Sequence, residues 1–230
     1  MAITWLGHGS FQIETPAGAV LLVDPWSSGP TWPKAHAIER CDAILVTHGH
    51  GDHAQDVPAF AAALKAPVLA LVELADWLVA QGVANTIGFN KGGTTEIAGC
   101  LVTMTNAVHS SSAPDDTPIG DPSGFVIECE GMPTIYLTGD TAVHADMGLI
   151  GEIYRPQIVV LPIGDFYTMG PRQAAHAVRL VGASDVVCGH YGTFPALTGT
   201  PSALRDELAK LKLNATVHEA EPGACVLEFA

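Results

Sequence analysis

The chain has 230 residues, 48% hydrophobic and 15% charged, which supports a large buried core and excludes a disordered chain. Its formal net charge is −14, from ten Lys plus Arg against 24 Asp plus Glu, so no basic stripe is available to hold a nucleic-acid backbone. Five cysteines (Cys41, Cys100, Cys129, Cys188 and Cys225) are odd in number, widely spaced and lack a C-x-x-C pair. This predicts reduced thiols, buried as small hydrophobes, in a cytoplasmic protein.

Length is consistent with a single domain over 1–230. No charged-then-apolar leader is read at Met1, and no apolar run is long enough to span a bilayer. Short strands are predicted at 2–6, 10–14 and 19–23, the last two joined by the turn Pro16-Ala17-Gly18. Asp24-Pro25 ends the third, and 27–37 is a loop. Ala43-Ile44-Leu45-Val46 is a short apolar run of the kind that makes a buried strand. Asp56 is placed to cap a helix that carries Pro58 in its first turn and runs to about Lys65.

A strand at 68–72, a helix at 73–81 stopped by Gly82, and strands at 86–89, 94–97 and 100–106 follow. Residues 110–123 have loop composition throughout, and fit either a lid or a disordered excursion. Strands at 124–129 and 134–137 precede a helix at 146–154 and a buried strand at 158–161. The helix at 171–181 opens on Pro171 and closes on Gly182. A strand at 185–188, a helix at 201–211 capped by Thr200, and strands at 216–218 and 224–229 complete the chain. Strands followed by strands mixed with helices, twice over, indicate a layered α/β domain with more than one sheet.

The most informative stretch is Thr47-His48-Gly49-His50-Gly51-Asp52-His53, with three imidazoles and one carboxylate within six positions just after the apolar run. Neutral imidazole and carboxylate are good ligands for zinc, manganese or iron. A His-rich surface loop is the alternative, but more ligand-type residues also follow apolar runs downstream: His109, Asp140 and His190. Seven such groups, His48, His50, Asp52, His53, His109, Asp140 and His190, are too many for one four-coordinate metal and suit two metals sharing a carboxylate. The same placement rule selects His8 and Asp24. Asp24 is a candidate partner for a ligand histidine N–H, and His8 fits either a substrate or oxyanion contact or a hydrogen-bonded structural histidine. Thr47 and Thr141 are read as partners of nearby backbone or ligand oxygens. His36, His176 and His218 are read as structural or surface residues.

The H-x-H-x-D-H cluster, the later His109-Ser110-Ser111, Gly139-Asp140-Thr141 and His190-Tyr191-Gly192-Thr193 together resemble the metallo-β-lactamase superfamily. Gly7-His8-Gly9-Ser10-Phe11, Val23-Asp24-Pro25 and Thr168-Met169-Gly170-Pro171 are similar to its small metal-dependent hydrolase branch, which includes ascorbate-phosphate lactonase-like proteins. The resemblance implies a four-layer αββα sandwich and two divalent ions, usually zinc, with manganese or iron in some branches. It implies that His48, His50 and His109 hold one ion, that Asp52, His53 and His190 hold the other, and that Asp140 bridges.

Two cations about 3.5–4 Å apart hold a hydroxide between them at neutral pH, and that hydroxide attacks the electrophile. Asp52, bound through one oxygen, is the candidate catalytic proton acceptor. No G-x-S-x-G elbow is present, which argues against a serine hydrolase. The expected activity is hydrolysis of a small ester, lactone, amide or phosphoester. A redox di-iron protein and a non-catalytic metal-binding or sensing module are the alternatives on the same scaffold. Partners are expected to be a small-molecule substrate, without nucleic acid or membrane; the sequence leaves a homo-oligomer open.

Overall fold

The computed structural model describes residues 1–229. Strands β1 (Ala2–Trp5), β2 (Phe11–Glu14), β3 (Val20–Val23) and β4 (Ala43–Leu45) lead into a single helical turn, α1 (Gly51–Ala54). Helix α2 (Val57–Leu64), β5 (Val68–Leu71), α3 (Val72–Ala80), β6 (Thr86–Phe89), β7 (Thr94–Ile97) and β8 (Cys100–Asn106) follow. The second half runs through β9 (Ser123–Cys129), β10 (Ile135–Leu137), α4 (Asp146–Tyr154), β11 (Ile158–Pro162), α5 (Pro171–Val181), β12 (Asp185–Gly189), α6 (Pro201–Lys210), β13 (Thr216–His218) and β14 (Cys225–Glu228).

Two seven-stranded sheets form, ordered β14-β1-β2-β3-β4-β5-β6 and β13-β12-β11-β10-β9-β8-β7. Each is antiparallel on one side and parallel on the other: β3 to β6 pair in parallel, as do β10 to β13. Successive side chains of a strand point to opposite faces. Phe125, Ile127, Ile135, Leu137, Ile158 and Val160 therefore join the core shared with the first sheet. Their neighbours Val126, Tyr136, Val159 and Leu161 face the layer built from α4, α5 and α6. Helices outside two stacked sheets give the expected αββα sandwich.

Three expectations change. The cluster after β4 enters a helical turn instead of remaining a loop, because Ala54 N and His53 N both close onto His50 O at 2.9 Å. Asp56 precedes α2 without capping it: its carboxylate accepts from Ser28 N at 2.7 Å and Ser27 Oγ at 3.1 Å, tying α2 to the 27–37 loop. Thr200 caps α6 as expected, accepting from Ala203 N at 3.2 Å.

The third change concerns the cysteines. Cys100 and Cys129 are register partners on β8 and β9, with Cα atoms 4.4 Å apart, and form a disulfide. Their 29-residue separation hides a pairing that only the strand register creates. Cys41 and Cys188 are free and buried, whereas Cys225 is free and exposed. The bridge removes the cysteine argument for a reducing compartment. Among the described residues, no helix is long and apolar enough to cross a membrane.

Residues 110–123 are held down instead of hanging free. Ala113 and Ile119 are buried in the core, Trp77 donates from Nε1 to Asp115 at 3.2 Å, and Gly49 N donates to Ser111 Oγ at 3.3 Å. A thiol titration of denatured, unreduced protein is expected to count Cys41, Cys188 and Cys225 only. Reducing the bridge is expected to lower unfolding stability by about 3 kcal/mol in a urea titration, as closing a loop of this length predicts.

Candidate metal centre

All seven ligand-type residues lie where strands run out along one rim of the sandwich. His48 follows β4, His50 is the residue before α1, and Asp52 and His53 lie within α1. His109 follows β8, Asp140 follows β10 and His190 follows β12. β4, β10 and β12 lie in the parallel halves of the sheets, and β8, antiparallel to β9, runs the same way as β10, so residues as distant in sequence as His53 and His190 reach one carboxylate, Asp140. His48, Asp140, His53 and His190 are buried, while Asp52 and His50 are half-buried.

Two groups converge. The donor atoms of His48, His50 and His109 lie within 4.8 Å of one another, as do those of Asp52, His53, His190 and His8. Within the first group, His48 Nε2 and His50 Nδ1 are 3.0 Å apart. Asp140 stands at the seam: its Oδ2 is 3.0 Å from His190 Nε2, 3.4 Å from His53 Nε2 and 3.9 Å from His109 Nε2. Asp52 Oδ2 is 3.8 Å from the Nε2 atoms of both His53 and His190.

The surroundings set which nitrogen of each ring faces inward. His53 donates from Nδ1 to Asp24 Oδ2 at 2.8 Å, leaving Nε2, which is buried without a hydrogen-bond partner, aimed into the centre. Thr47 donates its hydroxyl to Asp24 Oδ2 at 2.6 Å and its N–H to Asp24 Oδ1 at 2.8 Å. With that hydroxyl proton committed, His48 Nδ1 donates to Thr47 Oγ1 at 3.0 Å, and His48 Nε2 is left as a lone pair. Asp24 thus holds the His53 ring in place, and Thr47 extends the same network. Gly9 permits the close approach: a Cβ there would lie 2.6 Å from His53 Cε1. At Gly139, φ is +62° and a Cβ would stand 2.4 Å from Ser123 O, so the turn that presents Asp140 requires glycine.

His8 is a hydrogen-bonded brace, and Thr141 bonds nearby backbone. His8 is not free to contact substrate. Its Nε2 donates to Asp52 Oδ2 at 2.9 Å and its Nδ1 lies 2.8 Å from Thr193 Oγ1. Burial pushes the ring down to about 4 despite the Asp52 hydrogen bond, so at neutral pH it is an uncharged brace. Thr141 touches no ligand oxygen: its hydroxyl accepts from Val108 N at 2.9 Å and donates to Ala142 O at 2.8 Å, which ties the strand end before His109 to the turn after Asp140. Thr193, Ser110, Tyr167 and Phe194 reach the site without having been selected. A hydroxyl directly after His190-Tyr191-Gly192 is the one signal that could have flagged Thr193.

The electrostatics fit a cation. Burial by itself would depress the His53 ring, yet the Asp140, Asp24 and Asp52 carboxylates hold its pKa well above the ordinary range. Burial would raise the Asp140 carboxyl, yet His190 and His53 hold it well below. Three carboxylates thus converge on one buried point and call for positive charge there. Burial and the neighbouring imidazoles keep His48, His50 and His109 low, so these rings are neutral and available as ligands.

Comparison with known proteins agrees. The family model described as a beta-lactamase superfamily domain matches residues 20–191. A "UPF0173 metal-dependent hydrolase" of Herpetosiphon aurantiacus is 52% identical over 229 residues, covering 96% of this chain and 95% of the relative. The chain belongs to this metal-dependent hydrolase family. A second member, from Roseiflexus castenholzii, is 44% identical and covers 97% of the chain and 96% of its own length. The hydrolase also superposes on Igni18, described as a novel metallo hydrolase from the archaeon Ignicoccus hospitalis, with a TM-score of 0.86 at 32% identity, covering 99% of this chain and 98% of that one. An isothiocyanate hydrolase from Delia radicum gut bacteria shares the fold, with a TM-score of 0.76 at 19% identity over 100% of this chain and 99% of that one.

Replacing Asp24 by Ala would leave the His53 Nδ1–H without its acceptor. The variant is expected to bind zinc about 10–100-fold more weakly than the parent in competition with a chromogenic chelator.

Proposed function

We propose that the chain holds two divalent ions, with His48, His50 and His109 around one, Asp52, His53 and His190 around the other, and Asp140 between them, and that it hydrolyses a small ester, lactone, amide or phosphoester. The observation that carries this reading is Asp140 Oδ2, which lies within 3.9 Å of ring nitrogens from both groups at once. Five imidazoles and two carboxylates suit zinc, and manganese or iron accept the same donors. Bound there, the ions supply a water activated at neutral pH and a Lewis acid for the electrophile's oxygen.

The chain's own residues do the rest. Of the two central carboxylates Asp52 is the more open to the cleft, with 28% of its side chain exposed against 5% for Asp140. One Asp52 oxygen takes the proton of the attacking water and returns it to the leaving oxygen as the bond to the acyl or phosphoryl centre breaks. His8 fixes the carboxylate for that transfer, donating to Oδ2, and the Thr193 hydroxyl donates to His8 Nδ1 so that the ring keeps its proton on the Asp52 side. No serine or cysteine nucleophile is needed: the cleft is lined by His50, Asp52, His109, Ser110, Asp140, Tyr167, His190 and Phe194, and its one hydroxyl nucleophile candidate, Ser110, lies 3.4 Å from His50 Nε2 without a second base.

The test is metal analysis followed by turnover. Purified protein is expected to carry close to two equivalents of metal and to cleave at least one of a panel of chromogenic carboxyl esters, lactones, β-lactams and phosphodiesters. Asp52→Asn keeps the shape and removes the proton acceptor, and is expected to cut kcat by about 10²–10⁴-fold. Protein with under one equivalent of metal that stays inert after zinc or manganese loading would refute the reading. Chelation is expected to lower unfolding stability by about 3 kcal/mol relative to protein in a hundredfold excess of metal over its dissociation constant, read as a drop in Tm.

A further inference from the structure

The mouth of the cleft carries a feature that metal binding does not explain. Phe166, Tyr167 and Phe194 are 71%, 56% and 38% exposed, although aromatic rings of this size stabilise a fold by being buried. Tyr167 and Phe194 line the cleft beside Asp52, Asp140 and His190. The segment that presents Tyr167 is built under strain: Asp165 (φ +68°) and Phe166 (φ +59°) are consecutive non-glycine residues in the left-handed region.

That conformation is pinned on several sides. Asp165 N donates to Met169 O at 3.1 Å, Tyr167 N to Asp165 O at 2.7 Å, and Phe166 N to the Asp165 carboxylate at 2.8 Å. Met169, wholly buried, donates its N–H to Thr141 O at 3.2 Å, which anchors the loop to the turn after Asp140. Phe194 is held in turn by rings beneath it, with its centroid 5.7 Å from His8 and 6.2 Å from Trp26. Both aromatic residues are therefore carried on segments fixed to the metal centre.

The charge of the cleft points the same way. No lysine or arginine is among its lining residues, so no side-chain cation is present to anchor a carboxylate or phosphate away from the reacting bond. The remaining lining groups are imidazoles, two carboxylates, the Ser110 hydroxyl and the rings of Tyr167 and Phe194, the former with its phenol hydroxyl. Beyond the reacting centre, a substrate tail meets these two rings.

We infer that the substrate is an uncharged ester or lactone with a planar apolar group next to the scissile bond, and that Tyr167 and Phe194 clasp this group. The inference rests on the hydrolase reading above for its chemistry and on the two rings for its selectivity. Water adds to the acyl carbon, the acyl C–O bond breaks, the water's hydroxyl stays on the acyl carbon as the acid and its proton goes to the departing oxygen, giving an alcohol from an ester and a single hydroxy acid from a lactone.

The experiment compares matched compounds on the metal-loaded protein: phenyl acetate, its para-carboxylate analogue and ethyl acetate. A second readout, independent of turnover, is saturation-transfer NMR of the non-hydrolysable ketone benzyl methyl ketone and its para-carboxylate analogue. Phenyl acetate is expected to show the highest kcat/KM, the neutral ketone to bind and its carboxylate analogue to bind at least tenfold more weakly. Tyr167→Ala and Phe194→Ala, both exposed positions, are expected to raise KM for phenyl acetate about 2–12-fold each. Their Tm is expected to stay near the parent value, and their kcat/KM is expected to fall more for phenyl acetate than for ethyl acetate. Equal binding of the neutral and charged ketones, or unchanged ketone binding in both variants, would overturn the inference even if hydrolysis proceeds. If no ester is cleaved, the hydrolase reading fails, and the ketone arm still decides whether the rings select a neutral planar group.

Discussion

Three carboxylates converge on one buried region of this molecule, and every charged or polar side chain that they meet there is an imidazole or a hydroxyl. Asp24 accepts from Thr47 and His53, Asp52 from His8, and Asp140 faces His53, His109 and His190. No lysine or arginine is paired with any of them among the described residues. Buried anions are costly unless compensated, and a salt bridge made of side chains alone compensates poorly. The fold tolerates this arrangement because β3, β4, β8, β10 and β12 end at one rim, where the loops that follow deliver the donors without disturbing the core beneath.

The rings around that region are constrained to different degrees. Asp24 and Thr47 fix His53 and His48 from behind, and Thr193 and His8 fix Asp52 from the side. His50 meets the ring of His48 and, at longer range, Ser110 Oγ, and His109 lies at the open side of the cleft. The floor is thus held rigidly, whereas the face that meets solvent is lined by two aromatic rings on tightly anchored loops. A preorganised floor needs little rearrangement when charge develops during a reaction.

Much of this was legible before the fold was known, because the information is local. The spacing of His48, His50, Asp52 and His53 encodes a strand end and a turn, and helices such as α5 announce themselves by Pro171, Gly182 and an apolar stripe between them. What was not legible depends on pairing across the fold. Cys100 meets Cys129 only through the register of β8 and β9. His8 gains its role only when Asp52 and Thr193, from opposite halves of the chain, arrive at its two nitrogens. Asp56 has the residue type of a helix cap, but a nearer pair of donors on the 27–37 loop claims its carboxylate. Residues 110–123 have loop composition that leaves a lid and a disordered excursion equally open, and two apolar side chains, Ala113 and Ile119, help to seat the segment in the core.

The covalent link between β8 and β9 lies at the far end of those strands from the site. β8 begins at Cys100 and ends at Asn106, three residues before His109, so the bridge is about 20 Å of strand away from the reacting groups. An oxidising or reducing environment can therefore change how long the folded molecule endures while leaving its chemistry untouched. Durability and reactivity sit at opposite ends of one hairpin, and the first can be tuned by redox state alone.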